Sequence, residues 1–465
     1  MVVQYKPEKV APILIHGKWY DMSGYNHPGG PIMLRLGASR DATALFESHH
    51  PFTSRKHLEQ LLEKHRVQDP SDPAAGCQLL DQRDHEQMYA WPEPEKTTSD
   101  QSQRPLSAFA LELQSRVRDY FAAEAKRRGV SLLQATKATP AKWMQLALMF
   151  ALFSATLPYF LAGRYWTLLL TPFLYWLFEV NSFHDASHFA LSRDWRINAL
   201  GTYTGIWFSS PLAWYHQHII GHHAYPNIPQ RDPDLYHNGT FERHTKTLRH
   251  RPLHMHQDKT WLPIWLLGTF AMSFLKPLQM FATGYYNRAV AVTRYSKRRI
   301  YDHFVGRVLV FALCHLWSFI LLDSWIDAAL FSAIPAMVVS LCFMICSQVN
   351  HLTAENIDVR DPCFYAHQVK TSHSFGGTTW LSRKWAFLFS GGLNLQIEHH
   401  LFPTVNHSHL PHISGIVKEV CKKHGVYYHE STGFRQAFGK YLAHMKELSV
   451  AEIIAEHISD HHHTD

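Results

Sequence analysis

Residues 143–188 read WMQLALMFALFSATLPYFLAGRYWTLLLTPFLYWLFEVNSFHDASH, and the fold class follows from this stretch. The run 143–163 carries no formal charge, and about 20 such residues cross a bilayer core as a helix. Only Arg164 interrupts before a second apolar run, 165–183, whose one acid is Glu179. The pair reads as a helical hairpin that delivers His184 and His188 just past its second arm. A second hairpin follows at 304–322 and 328–350, linked by residues 323–327. Two hairpins with minimal far-side loops place nearly all polar mass on one face. Lys297, Arg298 and Arg299 precede the third run, so that face is expected to be cytosolic. The expected fold class is an α-helical integral membrane domain with four transmembrane helices, interfacial helices and a histidine-bearing cytosolic cap, preceded by a small α+β domain.

Composition narrows the function classes. Of 465 residues, 45 are Lys or Arg and 38 are Asp or Glu, a net charge of +7. A dedicated nucleic-acid binder would concentrate more positive charge, so no nucleic-acid partner is expected. Charged residues are 18%, below the ~25% of soluble domains, and the 46% hydrophobic content excludes disorder over most of the chain. Six scattered cysteines without a CxxC pair argue against a disulfide framework or a zinc cage. The opening MVVQYKPEKVAPILIHG lacks the long uncharged core of a secretory signal, so the N-terminus is expected in the cytosol. What remains to be explained is 35 histidines.

The chain divides by pattern into a small mixed domain (1–70), a Pro/Asp/Gln/Ser-rich linker (71–105), a pre-membrane region (106–142), the membrane domain (143–430) and a C-terminal cytosolic tail (431–465). In the pre-membrane region Phe109, Leu111, Leu113, Val117, Tyr120 and Phe121 recur at helical spacing. That amphipathic helix either lies on the membrane or packs on the next domain.

Two histidine constellations stand out. In the first domain, Trp19 to Gly30 ends in His27-Pro28-Gly29-Gly30, and Asp41-Ala42-Thr43 and Phe46-Glu47-Ser48-His49-His50-Pro51 follow. This resembles a cytochrome b5 domain. The resemblance implies haem b held from both sides by His27 and His50, with no open position, and therefore electron carriage. His50 precedes Pro51 as in fused members of that family, and the adjacent His49 is the competing choice.

The second constellation is His184-Asp185-Ala186-Ser187-His188, His218-Ile219-Ile220-Gly221-His222-His223 and Gln396-Ile397-Glu398-His399-His400. On a helix, positions i and i+4 share a face, so His184/His188 and His218/His222 can each present two imidazoles to one centre. Sulfur-free imidazole coordination suits iron, copper, zinc or nickel alike. The three boxes, with residues 391–394 and Leu401-Phe402-Pro403, resemble the integral-membrane fatty acid desaturases. The leading Gln396 and the fused cytochrome are similar to their front-end subgroup. The resemblance implies two iron ions, O2 as co-substrate, and as metal ligands His184, His188, His218, His222, His223, His399 and His400. His351 falls in the family's additional ligand region, and Gln396 stands where related enzymes carry a ligating histidine.

If the boxes serve one site they lie on one membrane face. The apolar stretches 198–215 and 260–275 are therefore expected to be interfacial or re-entrant rather than crossing. Asp185, Asp232, Asp234 and Glu398 can orient metal-bound imidazoles, or can be caps and solvated acids. His254 and His256 read as interfacial polar residues, and His315 as an intramembrane histidine in need of a partner. His461–His463 read as a polar terminus, and the basic run 294–299 as an anchor to anionic lipid or a contact for acyl-CoA phosphates.

The function implied is an endoplasmic-reticulum desaturase placing a cis double bond in a long, already unsaturated acyl chain. Its substrate would be an acyl-CoA or a phospholipid in the bilayer, and its electrons would come from NADH through a cytochrome b5 reductase. A sphingolipid long-chain-base desaturase, a fatty acid hydroxylase, or a non-catalytic membrane electron-transfer protein would share the build.

Overall fold

The uncharged runs of the middle of the chain form long helices, as their composition requires. A computed structural model describes residues 9–91, 107–205, 207–294 and 297–450. Helix Pro140–Leu161 starts where the Thr139 hydroxyl accepts the Lys142 N–H, with proline in the first turn, where its missing N–H costs nothing. Gly163, at φ 69°, then turns the chain into Thr167–Ser187, which runs back along the first helix. A Cβ on Gly163 would sit 2.8 Å from Leu322, and Tyr165 hydrogen-bonds Asp327, so the far turns of the two hairpins meet.

Among the described residues, four helices are long and apolar enough to cross a membrane: Pro140–Leu161, Pro252–Thr283, His303–Leu321 and Trp325–Asn350. Three coincide with expected spans. The fourth expected span, 165–183, is helical as Thr167–Ser187, but Glu179, Asn181 and His184 dilute its apolar character. Its second half is buried inside the bundle rather than turned to lipid.

The stretch 260–275 is not a short interfacial segment. It lies within the 32-residue helix Pro252–Thr283, which packs along Trp325–Ser347: the Ser340 hydroxyl bonds Trp265 and Thr269, and the Thr269 hydroxyl bonds the Ala336 carbonyl. Both ends of this helix nevertheless sit beside the histidine-bearing cap. Gln257 donates to the Arg243 and Met445 carbonyls at one end. At the other, Lys276 bonds Asn287, which in turn bonds the Pro233 carbonyl. A wide π-helical turn at Ala271–Leu275 separates the two halves. The described residues of the stretch 198–215 include the short helices Trp195–Gly201 and Pro211–Trp214, neither long enough to cross a membrane.

The pre-membrane helix Ala108–Arg128 packs on protein. Its face of Phe109, Leu113, Val117, Phe121 and Ala125 is buried, chiefly against Leu410–Lys423. The linker is ordered where described: Leu79 and Tyr89 are buried and the Tyr89 hydroxyl donates to the Ala224 carbonyl. The tail, too, is partly built in, because Phe434–Ser449 buries Ala437, Tyr441 and Met445. His461–His463 and residues 92–106 lie outside the described residues.

In the N-terminal domain, Ile13–Ile15 pairs antiparallel with Lys18–Tyr20, and Pro31–Gly37, Thr43–His49 and Arg55–Lys64 surround a core of Ile13, Ile15, Tyr20, Leu36 and Leu62. Glu47, 1% exposed, is held by Arg55 at 2.6 Å and His16 at 2.8 Å. Burial alone would raise its carboxyl, but those two partners lower it to about 2. A depressed carboxyl contributes stability that is present above its ordinary value and lost as pH falls through the folded value. The domain is therefore expected to lose this contribution between about pH 4.5 and about pH 2. Glu47→Gln, which leaves Arg55 without its buried partner, should destabilise the domain by about 3–5 kcal/mol at pH 7. Thermal melts across pH check this: a Glu47→Gln protein with the wild-type melting profile would refute it.

Candidate metal centre and haem-ligand pair

The end of Thr167–Ser187 carries His184 and presents His188 one turn later, with ring centroids 4.8 Å apart. The second box folds differently from the expected α-helix. Tyr215–His222 is π-helical, and the His223 N–H bonds the His218 carbonyl five residues back. A wider turn brings i and i+5 onto one face. His218 Nε2 thus lies 3.2 Å from His223 Nε2, whereas His222 turns away to place its Nε2 3.3 Å from that of His351. The expected sharing of one centre by His218 and His222 is corrected accordingly. Gly221 permits the packing: a Cβ there would meet Pro233 at 2.5 Å and Val290 at 2.8 Å.

The third box rides on the short helix Gln396–Leu401, introduced by Gly391 and Gly392 at φ 64° and 97°. Neighbouring residues on a helix point about 100° apart, so His399 and His400 face different ways. His351 follows Gln348–Asn350, and its Nδ1 bonds the Thr371 carbonyl at 2.9 Å.

The result is two adjoining groups of imidazoles. In one, ligand atoms of His184, His188, His218 and His399 all lie within 4.8 Å of one another, and His223 Nε2 sits 3.1 Å from His399 Nε2. In the other, His222, His351 and His400 meet the same criterion, and the Gln396 side-chain nitrogen lies 2.9 Å from His351 Nε2. The rings of His223 and His400 stack at 4.3 Å between the groups. All eight histidines are buried.

Ring nitrogens of several histidines crowd to about 3 Å of one another, a convergence that suits a shared positive centre. Both ring nitrogens of His188 and Nε2 of His400 are buried without any protein partner. Burial, and then the neighbouring histidines, hold His218, His223, His399 and His400 well below the ordinary range, so they are neutral donors. His222 differs. Burial would lower it too, but Asp232 and Asp234 raise it to about 9, and its Nδ1 bonds Asp232 at 3.1 Å. That bond leaves Nε2 aimed at His351. An all-imidazole, water-poor donor set of this kind fits iron, and the residues present suit two metal ions.

In the N-terminal domain, His27 Nδ1 accepts the Gly29 N–H at 3.0 Å, and His50 Nδ1 bonds the Phe46 carbonyl at 2.8 Å. Their rings face each other at 5.9 Å and 87°. Burial, followed by His50 and His49, lowers His27 to about 3. His49 instead bonds the Leu45 carbonyl and Ser48. The pair with both Nε2 atoms available is His27 and His50, which fits axial ligation of a haem.

Residues 157–432 match the fatty acid desaturase family, and residues 2–69 match the cytochrome b5-like heme/steroid binding domain. The chain belongs to the fatty acid desaturase family. It is a membrane fatty acid desaturase with an N-terminal cytochrome b5-like domain. Similar proteins include the acyl-lipid (8-3)-desaturase B of Dictyostelium discoideum, 29% identical over 94% of this chain and 90% of that one. The acyl-lipid omega-13 desaturase of Chlamydomonas reinhardtii is 26% identical over 95% of this chain and 94% of that one. The acyl-lipid (8-3)-desaturase of Mortierella alpina is 27% identical over 94% of each.

Around the desaturase's histidines lies a second ring of residues, only part of it foreseen. Asp232 orients His222 as expected. Asp185 acts one step further out: it lies 3.2 Å from His407, whose Nε2 is 3.0 Å from His399 Nδ1. Glu398 faces away, accepting from the Tyr428 hydroxyl at 2.7 Å. Asp234 accepts from Gln217 and stands 3.6 Å from His222. His407 and Gln368, which bonds His400 Nδ1 at 2.9 Å, were not singled out by sequence reading. A lone histidine and a lone glutamine outside any box carry no spacing signal. His254 caps a short helix by accepting the Arg251 N–H. The partner of His315 is Ser332, whose carbonyl lies 3.0 Å from Nδ1.

Proposed function

We propose that this desaturase is an oxygen-dependent di-iron enzyme of the front-end type, acting on a long, already unsaturated acyl chain and fed by its own haem b. The observation that carries the reading is the pair of adjoining imidazole groups bridged by the His223–His400 stack. One group is held by His184, His188, His218, His223 and His399, and the other by His222, His351 and His400. Iron bound there supplies the activation of O2 and the removal of two hydrogens from the acyl chain. The protein's own contribution is geometric and electrostatic. Burial keeps His218, His223, His399 and His400 neutral, Asp232 orients His222 through its Nδ1, and Gln396 positions polar atoms beside His351.

An aromatic wall supports approach of an apolar chain from the bilayer. Trp214 stacks on His218 at 4.1 Å, and Phe208, Phe183 and Phe343 continue from it. Front-end regiochemistry is supported by relatives named (8-3)-desaturases. In this reading the enzyme is multi-pass in the endoplasmic reticulum membrane with both termini cytosolic. Its substrate is an acyl-CoA or phospholipid acyl chain, and NADH-cytochrome b5 reductase reduces its haem. The segments divide the work: 1–70 carries haem, 143–430 the metal site, and 71–142 joins them.

Expression in yeast fed a panel of C18 and C20 polyunsaturated fatty acids, followed by gas chromatography–mass spectrometry, tests the reading. New double bonds on the carboxyl side of existing ones are expected. Hydroxylated fatty acids, or double bonds confined to sphingoid bases, would overturn it.

A further inference from the structure

The haem-ligand pair and the metal groups are joined by an aromatic contact. Phe52 lies two residues past His50, and Phe402 two residues past His400. Their rings are 5.6 Å apart and 14° from parallel, and Phe121 closes the side of the contact 5.7 Å from Phe52. Phe402 and Phe121 are fully buried. On another flank, Trp195 covers the His27 loop so closely that a Cβ on Gly30 would lie 2.6 Å from its ring. The Arg40 guanidinium reaches the Ala291 carbonyl and Thr293. A domain that merely visited its partner would present a more polar surface. Fully buried aromatics and a buried guanidinium at this junction instead describe a fixed seat.

We propose that the Phe52–Phe402 stack is the electron bridge between the haem held by His50 and the metal group containing His400, so that each chain reduces its own centre. The inference rests on the proposed function. Each crossing oxidises one ferrous haem to ferric and delivers one electron. Two crossings, two electrons from the two broken C–H bonds, and four protons, two of them from those bonds, reduce O2 to two waters. An aromatic stack carries the electron without a bond forming or breaking. His49, adjacent to His50 and with a buried, unpartnered Nε2, is the competing route.

The test uses the full chain in microsomes from the fed yeast, with haem photoreduced in the presence of O2 and its reoxidation followed by absorbance. His222→Ala gives the background rate. Phe52→Leu and Phe402→Leu keep apolar bulk but remove the π face, and each should slow reoxidation at least tenfold with the haem spectrum and iron content unchanged. Phe402→Trp should restore the rate to within threefold of wild type. If Phe402→Leu loses iron, Phe52→Leu, outside the metal cap, carries the test. The seat itself is read in metal-free protein, where Phe402→Ala should raise hydrogen exchange in residues 43–54 at least tenfold. Wild-type reoxidation in both leucine variants, slowing by His49→Leu alone, or unchanged exchange would overturn the proposal. Wild-type reoxidation no faster than the His222→Ala background would instead sink the proposed function, and this inference with it.

Discussion

Replacing His222 by alanine should abolish formation of new double bonds while the haem spectrum of the same protein stays intact. His222 is the point at which the second box leaves the first imidazole group and joins the second, with Nε2 3.3 Å from that of His351 and Nδ1 on Asp232. Its loss leaves one metal with a missing donor and Asp232 as a buried carboxylate without its partner, so iron occupancy should fall along with activity. His188→Ala and His400→Ala, drawn from the other boxes, should do the same, because all three feed adjoining groups. Asp232→Asn removes only the orienting charge and should cost about 10–100-fold in iron affinity or activity. Iron per protein and fatty acid profiles decide the matter. Full desaturation by His222→Ala would sink the metal-site assignment. An Asp232→Asn enzyme indistinguishable from wild type would sink the orienting role.

His27→Ala and His50→Ala should each eliminate the six-coordinate, low-spin haem spectrum of the full chain, whereas His49→Ala should keep it. The rings of His27 and His50 face each other at 5.9 Å, while His49 is turned onto Leu45 and Ser48. Losing one axial ligand opens a position on the haem and changes its spin state. Product formation should fall by more than about tenfold in both ligand variants even though iron content is retained, because the electron supply fails while the metal site does not. A His50→Ala protein that keeps a bis-histidine spectrum, paired with a His49→Ala protein that loses it, would reverse the ligand assignment.

Motifs of fixed local spacing were readable before any fold was seen. His27-Pro28-Gly29-Gly30 with His50, and the three histidine boxes, named most of the imidazoles that the structure gathers, whereas His351 lies outside the boxes and His407 carried no signal. The uncharged run 143–163 announced a membrane hairpin because helix length and bilayer thickness are both set by elementary dimensions. Reading failed where the deciding interaction was remote. The π turn at Tyr215–His222 sits where Gly221 lets Pro233 and Val290 approach closely, which no local pattern reports. The stretch 260–275 is apolar enough to cross on its own and is set aside only because the boxes must share one face, an argument that says nothing of the 32-residue helix Pro252–Thr283 in which it lies.

The sequence by itself determined which residues are able to bind metal and haem, which stretches are able to sit in lipid, and that both belong to one redox enzyme. These properties reside in side-chain chemistry and in spacings of a few residues, which local geometry preserves. Only the tertiary structure decided how the imidazoles divide. His218, His222 and His223 share one box but separate into two groups through a change in helical pitch, and His399 and His400 separate because adjacent helical side chains diverge. It alone placed His407 behind His399, Gln368 behind His400, and Phe52 upon Phe402. Residues hundreds of positions apart meet only when the whole chain has packed, and no local pattern encodes that meeting.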